Sequence, residues 1–229
     1  MSESANPLVS VILPVHNGAR YVADAIQSIL DQEYRPLECI VVDDGSSDTS
    51  ADIIAKYPVI YIHQAQRGPG AARNTGVRAS RGEVFAFLDQ DDQWAPGKLT
   101  AQMDALRSNP GTGYVTTLQE SRLDENMDRP SWITEKQLRD NSGLFPGMLV
   151  ATREAFEKVG PFREELRASS DADWFFRAND LAIPHIRIMR PLLIRRIHDA
   201  NQSRDIGATH RELLRIARDS IARKLAEGK

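Results

Sequence analysis

Val84-Phe85-Ala86-Phe87-Leu88-Asp89-Gln90-Asp91-Asp92 sets an unbroken apolar run directly against three carboxylates. An apolar run without polar alternation predicts a strand buried on both faces, with helices on both sides of its sheet. The acidic cluster then falls at the carboxyl end of that strand, where open α/β sheets bind ligands. Crowded carboxylates repel one another unless a cation sits among them. Hard oxygen donors favour Mg²⁺, Mn²⁺ or Ca²⁺ over zinc. The stretch therefore reads either as a metal-bridged phosphate site or as an acidic loop that merely ends a strand.

Upstream, apolar runs at 9–15, 37–42 and 59–63 predict three more strands. Between them lie a helix over 20–32, one capped by Ser47 or Asp48 and running to 56, and one of small residues over 71–80. This β-α alternation predicts a parallel sheet with right-handed crossovers. In such a sheet Pro14 and His16 after the first strand, Asp43 and Asp44 after the second, and Asp89–Asp92 after the fourth converge on one edge.

Downstream, a helix is expected over 96–108 and a strand over 113–118. Residues 119–142, with a lone Trp132, have weak periodicity and read as a lid or a plain surface excursion. A strand over 147–152 and a helix over 153–159 follow. Ser169 or Ser170 caps a helix to about 181, with Trp174 and Phe175 facing the core, and residues 185–198 form one or two strands. A closing helix over 207–229 repeats Leu213, Leu214, Ala217, Ile221 and Leu225 as its apolar face. The division expected is a single domain over 1–229. Within it, 8–118 is a nucleotide-type half, 119–206 a half that would meet another substrate and 207–229 a C-terminal helix.

The chain has 229 residues, enough to bury a core without staples. Its net charge of −3 gives no footprint for nucleic acid. The single Cys39 lies within an apolar run and reads as a buried structural thiol in a reducing compartment. The polar first residues predict no signal peptide, and no apolar run reaches the ~20 residues that cross a bilayer. The location expected is cytoplasmic, either free or peripheral to a membrane, and a homodimer is left open.

Taken in order, Val9–Asn17, Val41–Asp48, Ala72-Arg73-Asn74-Thr75-Gly76 and Phe87–Asp92 resemble the successive signatures of family 2 glycosyltransferases. So do Val159-Gly160-Pro161-Phe162, Asp171-Ala172-Asp173-Trp174 through Arg177, and Arg196-Ile197-His198. The resemblance covers about residues 8–203. It implies an inverting enzyme with a GT-A-like α/β/α sandwich around a mostly parallel sheet. The activity implied is transfer of a sugar from a nucleotide diphosphate donor, usually a UDP-sugar, to a hydroxyl of a glycan, lipid-linked or peptide acceptor, with Mn²⁺ or Mg²⁺. A nucleotidyltransferase and a nucleotide-sugar-binding module without turnover are the alternatives.

In an extended segment residues i and i+2 point the same way, so Asp89 and Asp91 are expected to face one ligand. The resemblance implies that Asp91 binds the cation, Asp89 the ribose or the metal, and His198 the diphosphate region or the metal. It places an acidic residue of the Asp43-Asp44 pair on the base, Asp43 being favoured, with Pro14 and His16 flanking. Arg73 has two readings, a nucleotide contact or a salt bridge to the acidic loop. Asp171 is the general base implied, taking the acceptor's proton. Members of the family usually carry Glu-Asp there, whereas this chain has Ser170-Asp171. Asp173 is its rival, and Asp92 is expected to serve structure.

Overall fold

A computed structural model describes residues 6–125, 127–131, 133–139, 143–199, 201 and 206–226. Trp132, the polar first residues and the end of the closing helix lie outside them.

Four strands build the first half: β1 (Val9–Val15), β2 (Leu37–Asp44), β3 (Ile60–Gln64) and β4 (Val84–Phe87). They alternate with α1 (Val22–Leu30), α2 (Ser50–Ile54) and α3 (Pro69–Ala79). Beyond them come β5 (Gln93–Trp94), α4 (Lys98–Ser108), β6 (Tyr114–Leu123), α5 (Glu135–Arg139), β7 (Val150–Thr152) and α6 (Arg153–Val159). The chain closes with α7 (Ser170–Asp180), β8 (His185–Ile197) and α8 (Ile206–Ala226).

The eight strands form one sheet in the order β3-β2-β1-β4-β7-β6-β8-β5. The β3-β2-β1-β4 block is parallel throughout, with Val9 opposite both Leu37 and Val84. β7 pairs antiparallel with β4 and β6, β8 runs parallel to β6, and β5 is antiparallel to β8. The architecture is thus α/β around a mixed, mostly parallel sheet, as expected.

Every residue of β1 and β4 is buried because both sheet faces are covered. On one face Val11, Leu13, Ala86 and Leu88 pack with Val22, Ile26 and Ile29 of α1 and Leu99 of α4. On the other, Ile12, Phe85 and Phe87 pack with Phe156 of α6 and Trp174 and Phe175 of α7. Cys39 is buried, and burial pushes its thiol up to about 12, as suits a structural residue.

Three expectations change. Residues 119–123 are not loop: β6 continues to Leu123 because β8 offers it a partner as far as Ile197. The helix α2 begins at Ser50, and Thr49 at its cap gives no side-chain bond; Asp48 instead accepts from the Ser50 amide at 3.0 Å. The apolar row of α8 faces the core only in part, with Leu213 and Ala217 half-buried. Ile216 and Ser220 turn inward, while Leu214, Ile221 and Leu225 are exposed. Polar anchors set that rotation: Ser220 donates to Asp180 at 2.7 Å and Arg223 to the same carboxylate at 2.9 Å.

Candidate active site

Parallel pairing brings the carboxyl ends of β1, β2 and β4 side by side, and the loops leaving them are stitched together. Gln90 makes the first stitch. Its Oε1 accepts the His16 amide at 2.7 Å and its Nε2 donates to the His16 carbonyl at 3.1 Å. The fit is close: a Cβ on Gly18 would sit 2.5 Å from Gln90 Oε1. Asn17 makes the second, its amide donating to Ser46 Oγ at 2.9 Å and its Oδ1 accepting the Ser47 amide at 2.8 Å. The sequence reading assigned neither residue a task. A glutamine between two aspartates is the signal that could have pointed to Gln90.

The acidic stretch itself is a turn, closed by the Asp92 amide on the Asp89 carbonyl at 3.1 Å. The i, i+2 argument for an extended segment therefore does not apply, and Asp89 and Asp91 reach different partners. Asp89 Oδ1 accepts from Arg73 Nη2 at 2.5 Å, so the salt-bridge reading of Arg73 is the one seen in this geometry. Arg73 is buried on α3, its guanidinium 5.6 Å from the Phe162 ring centre, and its Nε has no hydrogen-bond partner among the described residues. Asp91 Oδ2 lies 2.8 Å from His198 Nε2 and 3.2 Å from Asn201 Nδ2. Asp92 is buried and accepts the Arg196 amide at 3.0 Å, fixing the turn to β8; burial, with Asp91 and Asp89 alongside, raises its carboxyl well above the usual range. Structural work is what the sequence reading expected of Asp92.

His198 sits at the end of β8 and is held from several sides. Asn201 Oδ1 accepts its amide at 2.6 Å, and its ring lies 4.7 Å from that of Tyr21. Tyr21 in turn donates to Asp124 at 2.8 Å; burial first, and then that hydrogen bond, push its phenol up to about 12. Tyr21, Asp124 and Asn201 escaped the sequence reading, because nothing local links positions so far apart in the chain.

The two acids ending β2 divide their work. Asp44 accepts from Gln64 Nε2 and from the amides of Arg67 and Gly68 at 2.7–2.9 Å, so it shapes the glycine loop before α3. Asp43 accepts the Ser46 amide at 2.8 Å and the Tyr61 hydroxyl at 2.7 Å. Burial alone would raise the Asp43 carboxyl, but hydrogen bonds from Ser46 and Tyr61 outweigh it and hold the group below the usual range. Tyr61, on the edge strand, is 42% exposed, which opens this corner to a ligand. Nearby, His16 Nδ1 faces the Asp44 carbonyl at 2.9 Å, and its Nε2 meets the amides of Asn17 and Gln66. Two amide donors on Nε2 put the ring proton on Nδ1. Pro14 is buried in β1 on the same edge.

Asp171 opens α7, half-buried in the crevice. Burial raises its carboxyl and Asp89 adds to the rise, while Arg73 and the Ala172 amide oppose it. Its rival Asp173 is fully buried, 2.7 Å from Arg177 and 3.4 Å from Arg163. The helix sends the two side chains to different faces, as a 200° separation requires. Ser170 is buried against the first turn of α3; a Cβ on Gly70 would lie 3.3 Å from its Oγ.

The donor set suits a divalent cation held jointly with a substrate. Among the described residues no group of three His, Cys, Asp or Glu side chains stands ready to hold a metal. Asp91 and His198 do converge, however, and Mg²⁺ commonly takes one or two carboxylates from the protein and fills the rest of its shell with phosphates and water. Such a pair fits the cation only together with a phosphorylated ligand.

Comparison with known proteins gives the family and the fold. Residues 10–166 match the family model described as glycosyl transferase family 2. An uncharacterized glycosyltransferase of Rickettsia typhi is 32% identical over 211 residues, covering 85% of this chain and 65% of the relative. This chain therefore spans just under two thirds of that relative's length. Among solved structures, the mannosyltransferase PcManGT of Pyrobaculum calidifontis, in complex with GDP-Man and Mn²⁺, superposes with a TM-score of 0.74 at 18% identity, over 96% of this chain and 65% of that one. TarS of S. aureus, residues 1–349 in complex with UDP-GlcNAc, gives 0.70 at 20% identity, over 86% and 60%.

Proposed function

The chain belongs to glycosyl transferase family 2, and from that premise we propose that it transfers a sugar, with inversion, from a UDP-sugar to an acceptor hydroxyl. The observation that supports this most is the meeting of two pairs on one sheet edge, Asp91 with His198 and Arg73 with Asp89, with Asp171 within electrostatic reach of the second pair.

Asp91 and His198 are the residues that would hold Mn²⁺ or Mg²⁺ when the donor diphosphate is bound. A bound divalent cation supplies positive charge against the diphosphate as it departs. Arg73 keeps Asp89 oriented toward the ribose through its ion pair. Asp43, with Pro14 and His16 beside it, receives the base. A ring N–H such as that of uracil donates to the Asp43 carboxylate, which its hydrogen bonds keep ionised. Residues 8–118 thus form the donor half, and 119–206 face the acceptor.

Asp171 is the base. As the acceptor oxygen forms its bond to the anomeric carbon, the bond from that carbon to the diphosphate oxygen breaks and takes the electron pair with it. The acceptor's proton passes to the Asp171 carboxylate. Burial makes that carboxylate a stronger base than one in water, and the Arg73 charge opposes the rise.

The test is a panel of UDP- and GDP-sugars read by thermal shift with Mn²⁺, followed by donor turnover. Stabilisation by a UDP-sugar that needs the metal, with turnover abolished in Asp171→Asn, is the expected result. Stabilisation by GDP-sugars alone would overturn the assignment of the base.

A further inference from the structure

α8 carries an outward face that neither the fold nor the transfer reaction uses. Arg211, Leu214, Arg218, Ile221 and Leu225 stand three or four residues apart, so they form one row along the helix, and all five are exposed. Leu214 is 73% exposed, Ile221 60% and Leu225 73%. Burying such side chains is strongly favourable, so a row of them left in water marks a contact surface.

Charge is sorted across the same helix. Its two described carboxylates point inward and are occupied: Glu212 accepts the amides of Arg167 and Ala168 at 2.9 and 3.0 Å, and Asp219 accepts from Arg163 at 2.9 Å. Arg215 and Lys224 reach acids of the body, Glu165 at 3.9 Å and Asp180 at 3.3 Å. Arg211 and Arg218 make no hydrogen bond or ion pair among the described residues and stand within the apolar row itself. Among the described residues the outward face is therefore apolar and cationic; Asp219, beside Arg218 and influenced by its charge, is turned to Arg163.

From this pattern we propose that the outer face of α8 docks on an anionic lipid bilayer, Leu214, Ile221 and Leu225 entering the headgroup boundary while Arg211 and Arg218 meet lipid phosphates. A helix with an apolar row set among basic side chains binds such an interface lying flat. A second copy of this chain fits worse. Two such faces would set arginines against arginines, and three apolar side chains fall far short of the roughly 20–30 residues a side of a stable interface. The proposal goes beyond the transferase reading and does not rest on it.

The experiment is co-sedimentation of the full chain with vesicles of phosphatidylglycerol and phosphatidylcholine, against phosphatidylcholine alone. Binding is expected only with the anionic vesicles and should weaken as salt is raised. Arg211→Gln with Arg218→Gln should lower the partition coefficient about 25-fold, from about fivefold for each cation near an anionic surface. Leu214→Ser/Ile221→Ser/Leu225→Ser should abolish binding. Unchanged thermal unfolding of both variants shows that the fold is intact. Failure of the unaltered chain to bind anionic vesicles would overturn the proposal, as would undiminished binding by the triple serine variant. A dimer in analytical ultracentrifugation that the serine variant dissociates would overturn it in favour of a second copy.

Discussion

His198 Nε2 and Asp91 Oδ2 lie 2.8 Å apart although 107 positions separate them in the chain. β8 ends where the acidic turn after β4 begins, because the Asp92 carboxylate captures the Arg196 amide. Asp91→Ala should remove half of this pair. Metal-dependent UDP binding, measured by calorimetry, is expected to weaken by ~2 kcal/mol or more, about 30-fold. Binding without metal should change little.

Asp171→Asn keeps the shape of the side chain and removes the base. Turnover should fall by about 10²–10⁴-fold with donor affinity retained. The Asp171 carboxyl is raised in the folded chain, so the acid limb of the rate–pH profile should lie above the ~3.9 of an ordinary aspartate. The sign for stability is the reverse of the usual salt-bridged carboxylate. Between the unfolded and the raised folded pKa the native state binds more protons, so stability declines as pH rises through that window. Urea unfolding at neutral pH should find Asp171→Asn at least as stable as the unaltered chain.

Asp173→Asn, two residues on, should behave in the opposite way. Its carboxylate is fully buried against Arg177 at 2.7 Å, with Arg163 at 3.4 Å, and neutralising it takes away the carboxylate that Arg177 pairs with. A loss of about 3–5 kcal/mol in urea unfolding is expected, with turnover per folded molecule near normal. Asp173 and Asp171 can then be told apart by which measurement moves.

Gln90→Ala should uncouple the acidic turn from the end of β1. Both hydrogen bonds to the His16 backbone disappear, which predicts a stability loss of about 1–3 kcal/mol and weaker nucleotide binding by calorimetry. Gly18→Ala tests the same contact from the other side, since its Cβ would fall 2.5 Å from the glutamine oxygen. The pair of variants should be non-additive.

Asp44→Ala and Asp43→Asn should separate scaffold from ligand contact. Asp44 holds two amides of the loop before α3, so its loss should lower stability by about 1–3 kcal/mol. Asp43→Asn should weaken UDP binding more than it lowers the unfolding temperature.

By itself the sequence determined the α/β alternation, the two-sided burial of β1 and β4, and the edge on which His16, Asp43 and Asp89 gather. Continuous apolar runs and helical spacing are local, and parallel pairing then forces the strand ends together. What only the tertiary structure decided is how the acids divide their labour. Asp89 turned to Arg73, Asp91 to His198 and Asp92 to the β8 backbone, because a turn replaces the extended geometry that spacing suggested. Asp44 became the clamp of a loop and Asp173 a buried ion pair, roles set by neighbours distant in sequence. In α8 the apolar period was plain, yet which face turned inward depended on Asp180 drawing in Ser220 and Arg223. Periodicity fixes that a helix has faces; the charges of its neighbours fix which one meets the core.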